Sequence, residues 1–190
     1  MDAESGLGPP LSRIGAPKVV YTHRLGVLTN DRIAGPGGDV GTYLRWEWAS
    51  SGVLIVPFDG ERFHFWRMYR YPIAEHSWEF PRGAAEPGES VERTAARELA
   101  EETGYTVQRC VRLGQVFADS GLVSNPTEVV LGRFVDGPRA RAGTPGAFEV
   151  VGNAVALKAE QVEAEISAGR FKCALTIASF VLARKHLEGR

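Results

Sequence analysis

The chain has 190 residues, which suits one domain of ordinary size with room for a small appendage. It carries 22 basic and 23 acidic residues, so its net charge of −1 gives neither the basic surface of a nucleic-acid-binding protein nor a polybasic membrane patch. Its two cysteines, Cys110 and Cys173, are too few for a disulfide framework or a zinc site. The sequence also has no signal-peptide pattern and no apolar run of the roughly 20 residues that a membrane helix needs. We therefore expect a soluble cytoplasmic protein that binds neither nucleic acid nor membrane.

The first half of the chain reads as a tail followed by strands. Residues 1–17 hold Gly, Pro and Ser without periodicity, which predicts a flexible N-terminal tail. β-Branched and aromatic residues are concentrated over residues 18–50, which predicts an N-terminal β-region with a turn at residues 35–39. The continuous apolar run at 52–58 is typical of a buried strand, and Asp59-Gly60 forms a turn signal before a partner strand at 62–71. Residues 51–190 are expected to form the main domain.

The second half of the chain adds helices. The clearest helix runs from Glu89-Ser90 to Thr103, because Ser90 is a favoured N-cap and Gly104 suits the left-handed position after a helix end. Further strands are predicted at 113–117, 128–135 and 149–157, a loop at 136–148, and helices at 160–168 and 173–187. Strands surrounding two or three helices predict an α+β, or mixed α/β, domain.

Three carboxylates of the first helix are placed to hold a cation. Glu98, Glu101 and Glu102 stand at i, i+3 and i+4, so they share one face of the helix. Like charges at this spacing destabilise a helix by several tenths of a kcal/mol each. A bound cation would offset that repulsion, and a cluster of hard oxygen ligands suits Mg²⁺, with Mn²⁺ as a substitute.

The residues around the three carboxylates form a longer pattern. Arg97 can hold a carboxylate such as that of Glu89 in a bidentate pair, and Gly83 and Gly88 allow tight turns or a close backbone approach. The segment fits G-x5-E-x7-R-E-U-x-E-E-x-G-U from Gly83 to Tyr105, where U is apolar. At ordinary amino-acid frequencies, a chance match of its fixed residues has a probability of about one in 10⁸ per window.

This segment resembles the signature of the Nudix hydrolases at every fixed position. The resemblance implies the Nudix fold, a mixed β-sheet sandwiched between helices, and Mg²⁺-dependent hydrolysis of a nucleoside diphosphate linked to another moiety. By matched position, it implies that the metal ligands are the carboxylates of the acidic helix face and one carbonyl, namely Glu98, Glu101, Glu102 and the carbonyl of Arg82. It implies that Gly83, Glu89, Arg97 and Gly104 are structural.

Residues outside this segment resemble one branch of the family. The stretches at 66–72, 78–83 and 169–176 are similar to those of the ADP-ribose pyrophosphatases. In that branch an N-terminal β-region commonly helps to form a homodimer, and here that region would be residues 18–50. The proline that such enzymes usually carry 15–16 residues after the signature is replaced by Ser120-Gly121. From the three similar stretches, the substrate predicted first is ADP-ribose or a related nucleotide sugar. Because the usual proline is absent, a GDP-sugar, NADH or a dinucleoside polyphosphate are alternatives.

A further alternative is a non-catalytic sensor of nucleotide sugars on the same scaffold. Sensors of that kind typically lose signature carboxylates, and this chain keeps all of them. The carboxylates therefore favour an enzyme.

Other charged residues are candidates for substrate binding and for the base. Arg67 and Arg70, with Glu79, are predicted to bind the substrate, although surface ion pairs between these arginines and Glu75 or Glu79 are an equal alternative. The base that activates water is Glu101 or Glu102, or a glutamate from the later loop. Glu149 is the best-placed loop residue and Glu128 the second.

Overall fold

The structure is a computed structural model that describes residues 10–134 and 151–189. The chain divides into two compact units. The first contains the described residues up to Ser50 together with Asp119–Asn125, and the second contains the others. Among the described helices, none combines the length and the apolar character that crossing a membrane requires.

The first unit is built on one antiparallel sheet, with four strands in its described part. The strands are β1 (Ser12–Arg13), β2 (Val19–His23), β3 (Gly26–Ala34) and β4 (Val40–Trp48). β3 lies in the middle, with β4 along one side and both β1 and β2 along the other. The stretch expected as a tail thus contributes β1. Many of the sheet's large apolar side chains are exposed, among them Val19, Val20, Tyr21, Val40, Leu44 and Trp48.

The second unit contains a mixed sheet of seven described strands and three described helices. The strands are β5 (Gly52–Phe58), β6 (Phe63–Arg70), β7 (Glu75–Glu79), β8 (Arg82–Ala84), β9 (Arg109–Val116), β10 (Thr127–Arg133) and β11 (Val151–Leu157). The helices are α1 (Val91–Thr103), α2 (Ala159–Ser167) and α3 (Ala174–Glu188). The main path of the sheet is β11-β6-β5-β10-β9, with β7 paired to β6 and β8 paired to β5. β5 and β10 run parallel, and the other paired strands are antiparallel.

The sheet of the second unit is buried on both faces. Along β5, Leu54 and Val56 join a core with α2 and α3, while Val53 and Ile55 join a second core with α1. Alternate residues of a strand point to opposite faces, so a strand covered on both sides must be apolar throughout. The continuous run predicted as a buried strand has this arrangement, and the predicted α+β fold with a mixed sheet between helices is confirmed.

Helix α1 has the predicted ends. The Ser90 hydroxyl accepts a hydrogen bond from the backbone N–H of Arg93, at 3.3 Å, as an N-cap does. Gly104 has a φ of 75°, and its N–H donates to the carbonyl of Ala100. A residue with a Cβ is strained in that conformation, so glycine allows the chain to leave the helix towards β9.

Helix α3 supports the connection between β7 and β8. The backbone N–H of Phe80 donates to the hydroxyl of Thr176 in the first turn of α3, at 3.3 Å, and both residues are almost fully buried. Phe180 and Ala183, further along the helix, belong to the same core as Phe80. The last helix therefore fixes the backbone that leads into the glutamate-rich segment.

Candidate active site

The acidic face of α1 lies beside the face that packs on the sheet. Ala95 and Leu99 are fully buried against β5 and β10. This anchors the helix and leaves Glu98, Glu101 and Glu102 along its accessible side. The Glu98 side chain is 14% exposed and that of Glu101 is 54% exposed, so the ridge rises from the protein surface into solvent. These three residues, called the acidic ridge below, are the ones that the sequence predicts as metal ligands.

Arg97 gathers the carboxylates around the ridge. Its Nε and Nη2 donate to the two oxygens of Glu89, at 3.1 and 2.9 Å, and Nη2 also donates to the carbonyl of Ala84, at 3.1 Å. Its Nη1 donates to Glu98 at 2.9 Å and to Glu101 at 3.2 Å. A guanidinium has five N–H donors, and these five contacts use all of them. Arg97 therefore joins the loop before α1 to the ridge itself.

Glu89 is strongly held in its ionised form. The hydrogen bonds from Arg97 lower the pKa of the Glu89 carboxyl from 4.5 to about 2, with further help from the backbone N–H of Glu86 and the hydroxyl of Thr94. Hydrogen bonds to a carboxylate favour the charged form. The geometry agrees with the structural role that the sequence predicts for Glu89 and Arg97.

Gly83 provides the close approach that places Glu98. A Cβ built on Gly83 would overlap the carboxylate of Glu98, so glycine allows that carboxylate its present position and a larger residue would displace it. The peptide between Arg82 and Gly83 consequently lies directly beside the Glu98 carboxylate. That peptide contains the Arg82 carbonyl, which the sequence predicts as a further metal ligand.

The chemistry of this region fits a hard divalent cation. Carboxylate and carbonyl oxygens are the ligands that Mg²⁺ and Mn²⁺ prefer. Within the described residues, no three His, Cys, Asp or Glu side chains are grouped closely enough to hold a metal ion, and Arg97 draws Glu98 and Glu101 towards its own nitrogen. A cation at the ridge would have to take these carboxylates over from Arg97.

The two arginines predicted to bind substrate lie on opposite faces of the sheet. β6 pairs with β7 without interruption from Arg67 to Arg70, and residues three apart on a regular strand point to opposite sides. Trp66 and Met68 pack in the core under α1, so Arg70 is on the α1 side and Arg67 on the other. The fold thus brings Arg70 towards the acidic ridge and separates Arg67 from it.

Arg70 is fixed by the buried carboxylate of Glu79. Its Nε lies 3.0 Å from Glu79 Oε1, and its Nη2 lies 2.6 Å from Oε2. Burial by itself lowers the pKa of the Arg70 guanidinium, but the hydrogen bonds to Glu79 and the charges of Glu79 and Glu102 outweigh it, so the pKa is raised. The ion pair that the sequence left as an alternative is therefore present. The effect of Glu102 links Arg70 electrostatically to the ridge.

Sequence reasoning missed the side chain of Arg82. Its Nη2 lies 3.5 Å from Glu79 Oε2, the oxygen that Arg70 also contacts. The sequence predicts no strand over residues 75–84, although Glu75–Glu79 and Arg82–Ala84 form β7 and β8. Glu79 and Arg82 stand at either end of the two-residue connection Phe80-Pro81, so predicting a strand on each side of Pro81 could have brought them together.

Of the two loop glutamates proposed as the base, Glu128 is described by the structure and Glu149 is not. Glu128 lies on β10 and is held by Arg112 in a two-bond pair, at 2.7 and 2.9 Å. Glu149 and the predicted loop at 136–148 lie outside the described residues. The role of Glu149 as the base stays a prediction.

The comparison with protein families decides the classification. Residues 49–164 match the model of the NUDIX domain. The chain belongs to the NUDIX family. The match includes the acidic ridge, Arg97, Glu89 and Gly83, so the resemblance drawn from the glutamate-rich segment is confirmed.

Several relatives of this NUDIX protein have assigned activities. An ADP-ribose pyrophosphatase of Bacillus subtilis is 35% identical over 65 residues, covering 34% of this chain and 35% of the relative. An ADP-sugar pyrophosphatase of Mus musculus is 42% identical over 64 residues, covering 34% and 29%. A CMP-5'-(N-acetyl-N-hydroxy-3-aminopropyl)phosphonate hydrolase of Streptomyces rubellomurinus is 29% identical over 121 residues, covering 63% and 58%. The aligned region thus spans about a third of the first two relatives and 58% of the third.

A solved structure extends the likeness to almost the whole NUDIX chain. The crystal structure of an ADP compounds hydrolase superposes with a TM-score of 0.76, over 94% of this chain and 97% of that one. The two sequences are 21% identical, so this similarity shows a shared fold.

We predict that Glu89→Gln destabilises the protein in a pH-dependent way. The folded-state pKa of about 2 lies below the ordinary 4.5, so ionised Glu89 stabilises the fold above pH 4.5. That contribution is lost as the pH falls from 4.5 towards 2. Thermal unfolding should therefore show a Tm a few degrees below wild type at pH 7, and the two curves should converge in acid. Glu86→Gln, at an exposed position three residues earlier, is the control; a Glu89→Gln difference that stays constant down to pH 2 would contradict the assignment.

Proposed function

We propose that this protein hydrolyses the pyrophosphate bond of a nucleoside diphosphate linked to another moiety, with ADP-ribose or a related nucleotide sugar as substrate and Mg²⁺ as cofactor. The products would be a nucleoside monophosphate and a sugar phosphate. The observation that carries the proposal is the acidic ridge next to Arg70, a site for a cation beside a site for an anion. The printed activities of the Bacillus and mouse relatives support the choice of ADP-ribose and ADP-sugars. The expected compartment is the cytoplasm.

The proposed mechanism assigns distinct tasks to the residues of the site. Glu98, Glu101, Glu102 and the carbonyl of Arg82 would hold Mg²⁺, which neutralises phosphate charge and makes a bound water more acidic. Arg70 adds positive charge on the same side of the sheet and would bind a phosphate oxygen. Arg97 and Glu89 hold α1 and the preceding loop together, and the carboxylates of Glu98 and Glu101 would exchange Arg97 for the cation when it binds.

The first experiment is a Mg²⁺-dependent assay of phosphate-ester release on a substrate panel. ADP-ribose and ADP-glucose should be the best substrates, and GDP-mannose, NADH and diadenosine polyphosphates poorer ones. A different ranking would revise the substrate only. If the protein binds these compounds and cleaves none of them with Mg²⁺ or Mn²⁺, the enzymatic proposal is wrong and the sensor alternative is favoured.

Glu102→Gln should lower kcat by at least about 10²-fold while substrate binding is partly retained, because one metal-binding charge is lost. Steady-state kinetics at saturating Mg²⁺ measure the effect, and circular dichroism checks the fold. The matched control is Glu165→Gln on α2, a glutamate paired with Arg170. Near-normal turnover by Glu102→Gln would refute the metal role.

The candidates for the base are Glu101, Glu102 and Glu149, with Glu128 as the second loop residue. If Glu149 takes the proton of the attacking water, Glu149→Gln should lower kcat and remove the acidic limb of the pH–rate profile. A profile with the wild-type shape would exclude Glu149 as the base.

We also propose that the protein is a homodimer formed through the sheet of the first unit. Among the described strands β2 pairs with β3 alone, and Val19, Val20 and Tyr21 along it are each more than half exposed. Exposed apolar edge strands are templates for pairing, and a charge on the edge prevents it. Tyr21→Lys should therefore convert a dimer to a monomer in analytical ultracentrifugation, whereas Val181→Lys, at an exposed apolar site on α3, should not. A monomeric wild-type protein, or an unchanged dimer in Tyr21→Lys, would exclude this interface.

A further inference from the structure

Two arginines contact one buried carboxylate at the connection between β7 and β8. Glu79 is 3% exposed at its side chain, and its Oε2 contacts both Arg70 Nη2 and Arg82 Nη2. The two cations and one anion leave a net charge of +1. Two guanidinium groups repel each other at this separation, so a shared carboxylate compensates only part of their charge.

Both arginine side chains of this pair remain partly exposed. Arg70 uses Nε and Nη2 on Glu79, and Arg82 Nη2 lies 3.5 Å from the same carboxylate. Each guanidinium has five N–H donors, and the two side chains are 30% and 33% exposed. Both arginines are thus held by Glu79 on one side, and their exposed parts can reach a further acceptor.

The arginine pair borders the acidic ridge. Arg82 immediately precedes Gly83, whose Cα touches the carboxylate of Glu98, and the charge of Glu102 acts on Arg70. An anion bound by the two arginines would therefore lie next to a cation held by the ridge. A diphosphate group presents negative oxygens on neighbouring phosphorus atoms, which matches such a pair of sites.

We propose that the side chain of Arg82, together with Arg70, binds a phosphoryl group of the substrate, and that Glu79 is the positioning residue that orients both. This inference rests on the proposed function and refines its binding site. It gives Arg82 a second contribution beside its backbone carbonyl. It also gives Glu79 an indirect role, because a buried carboxylate that faces two arginines reaches a phosphate only through them.

The test measures binding apart from turnover. The probe is α,β-methylene-ADP, in which a CH₂ group replaces the bridging oxygen so that hydrolysis cannot occur. Calorimetry with Mg²⁺ should show about tenfold weaker binding to Arg82→Ala, as expected for one lost charge-assisted contact, and partial recovery in Arg82→Lys. KM for ADP-ribose should rise by a similar factor, with a smaller change in kcat. The control is Arg170→Ala, which removes an exposed arginine paired with Glu165 and should bind as wild type.

Glu79→Gln should weaken binding more than Arg82→Ala, because both arginines lose their anchor. In the double variant Glu79→Gln/Arg82→Ala the two effects should be less than additive, since the second change removes a group that is already misplaced. If Glu79→Gln lowers Tm and leaves affinity and KM unchanged, Glu79 is only structural and the positioning role is wrong.

The outcomes separate this inference from the proposed function. Turnover of ADP-ribose with wild-type affinity in Arg82→Ala and Arg82→Lys would overturn the inference alone. Binding of α,β-methylene-ADP that depends on Arg82, without hydrolysis of any substrate, would overturn the proposed function alone. A wild-type protein that neither binds nor hydrolyses would overturn both.

Discussion

The site depends on one guanidinium. Arg97 uses its five N–H groups on Glu89, Glu98, Glu101 and a backbone carbonyl, so one side chain fixes the loop before α1 and two carboxylates of the acidic ridge. Without a cation, carboxylates at this spacing would repel each other and weaken the helix. The positive charge of Arg97 offsets part of this repulsion, because its guanidinium contacts two of the carboxylates. The ridge can therefore exist before a metal binds.

Side chains alternate between the two faces along the central strands, and this places each of the remaining charged residues on one face or the other. Because β5 and β6 are covered on both faces, each side chain is committed to the α1 side or to the α3 side. Arg70 and Glu79 fall on the α1 side, and Arg67 falls on the other. The two arginines look equivalent in the sequence. In the structure, Arg70 is the one of the two that lies on the same side of the sheet as the acidic ridge.

The sequence predicts those parts of the structure that depend on local signals. Helix α1, with Ser90 and Gly104 at its ends, follows from cap preferences and periodicity, and β5 follows from an uninterrupted apolar run. Strands β7 and β8 escape prediction because their stability comes from pairing with distant strands, and charged residues such as Glu75 and Arg82 look like loop residues. The fixed spacing of the signature gives the acidic ridge and the Arg97–Glu89 pair. The contact between Glu79 and two arginines depends on a turn and on strand register, which spacing alone does not give.

The hydrogen bond from Phe80 to Thr176 bears on how this protein can be shortened. The NUDIX match ends at residue 164, ten residues before α3 begins, yet α3 satisfies the amide of Phe80 and contributes Phe180 and Ala183 to the core. A fragment that ends at residue 164 would lack α3. The N–H of Phe80 would then be buried without a partner, or the core around Phe80 would open to water, three residues before the signature begins at Gly83. The end of the NUDIX match is therefore not the end of the folded core.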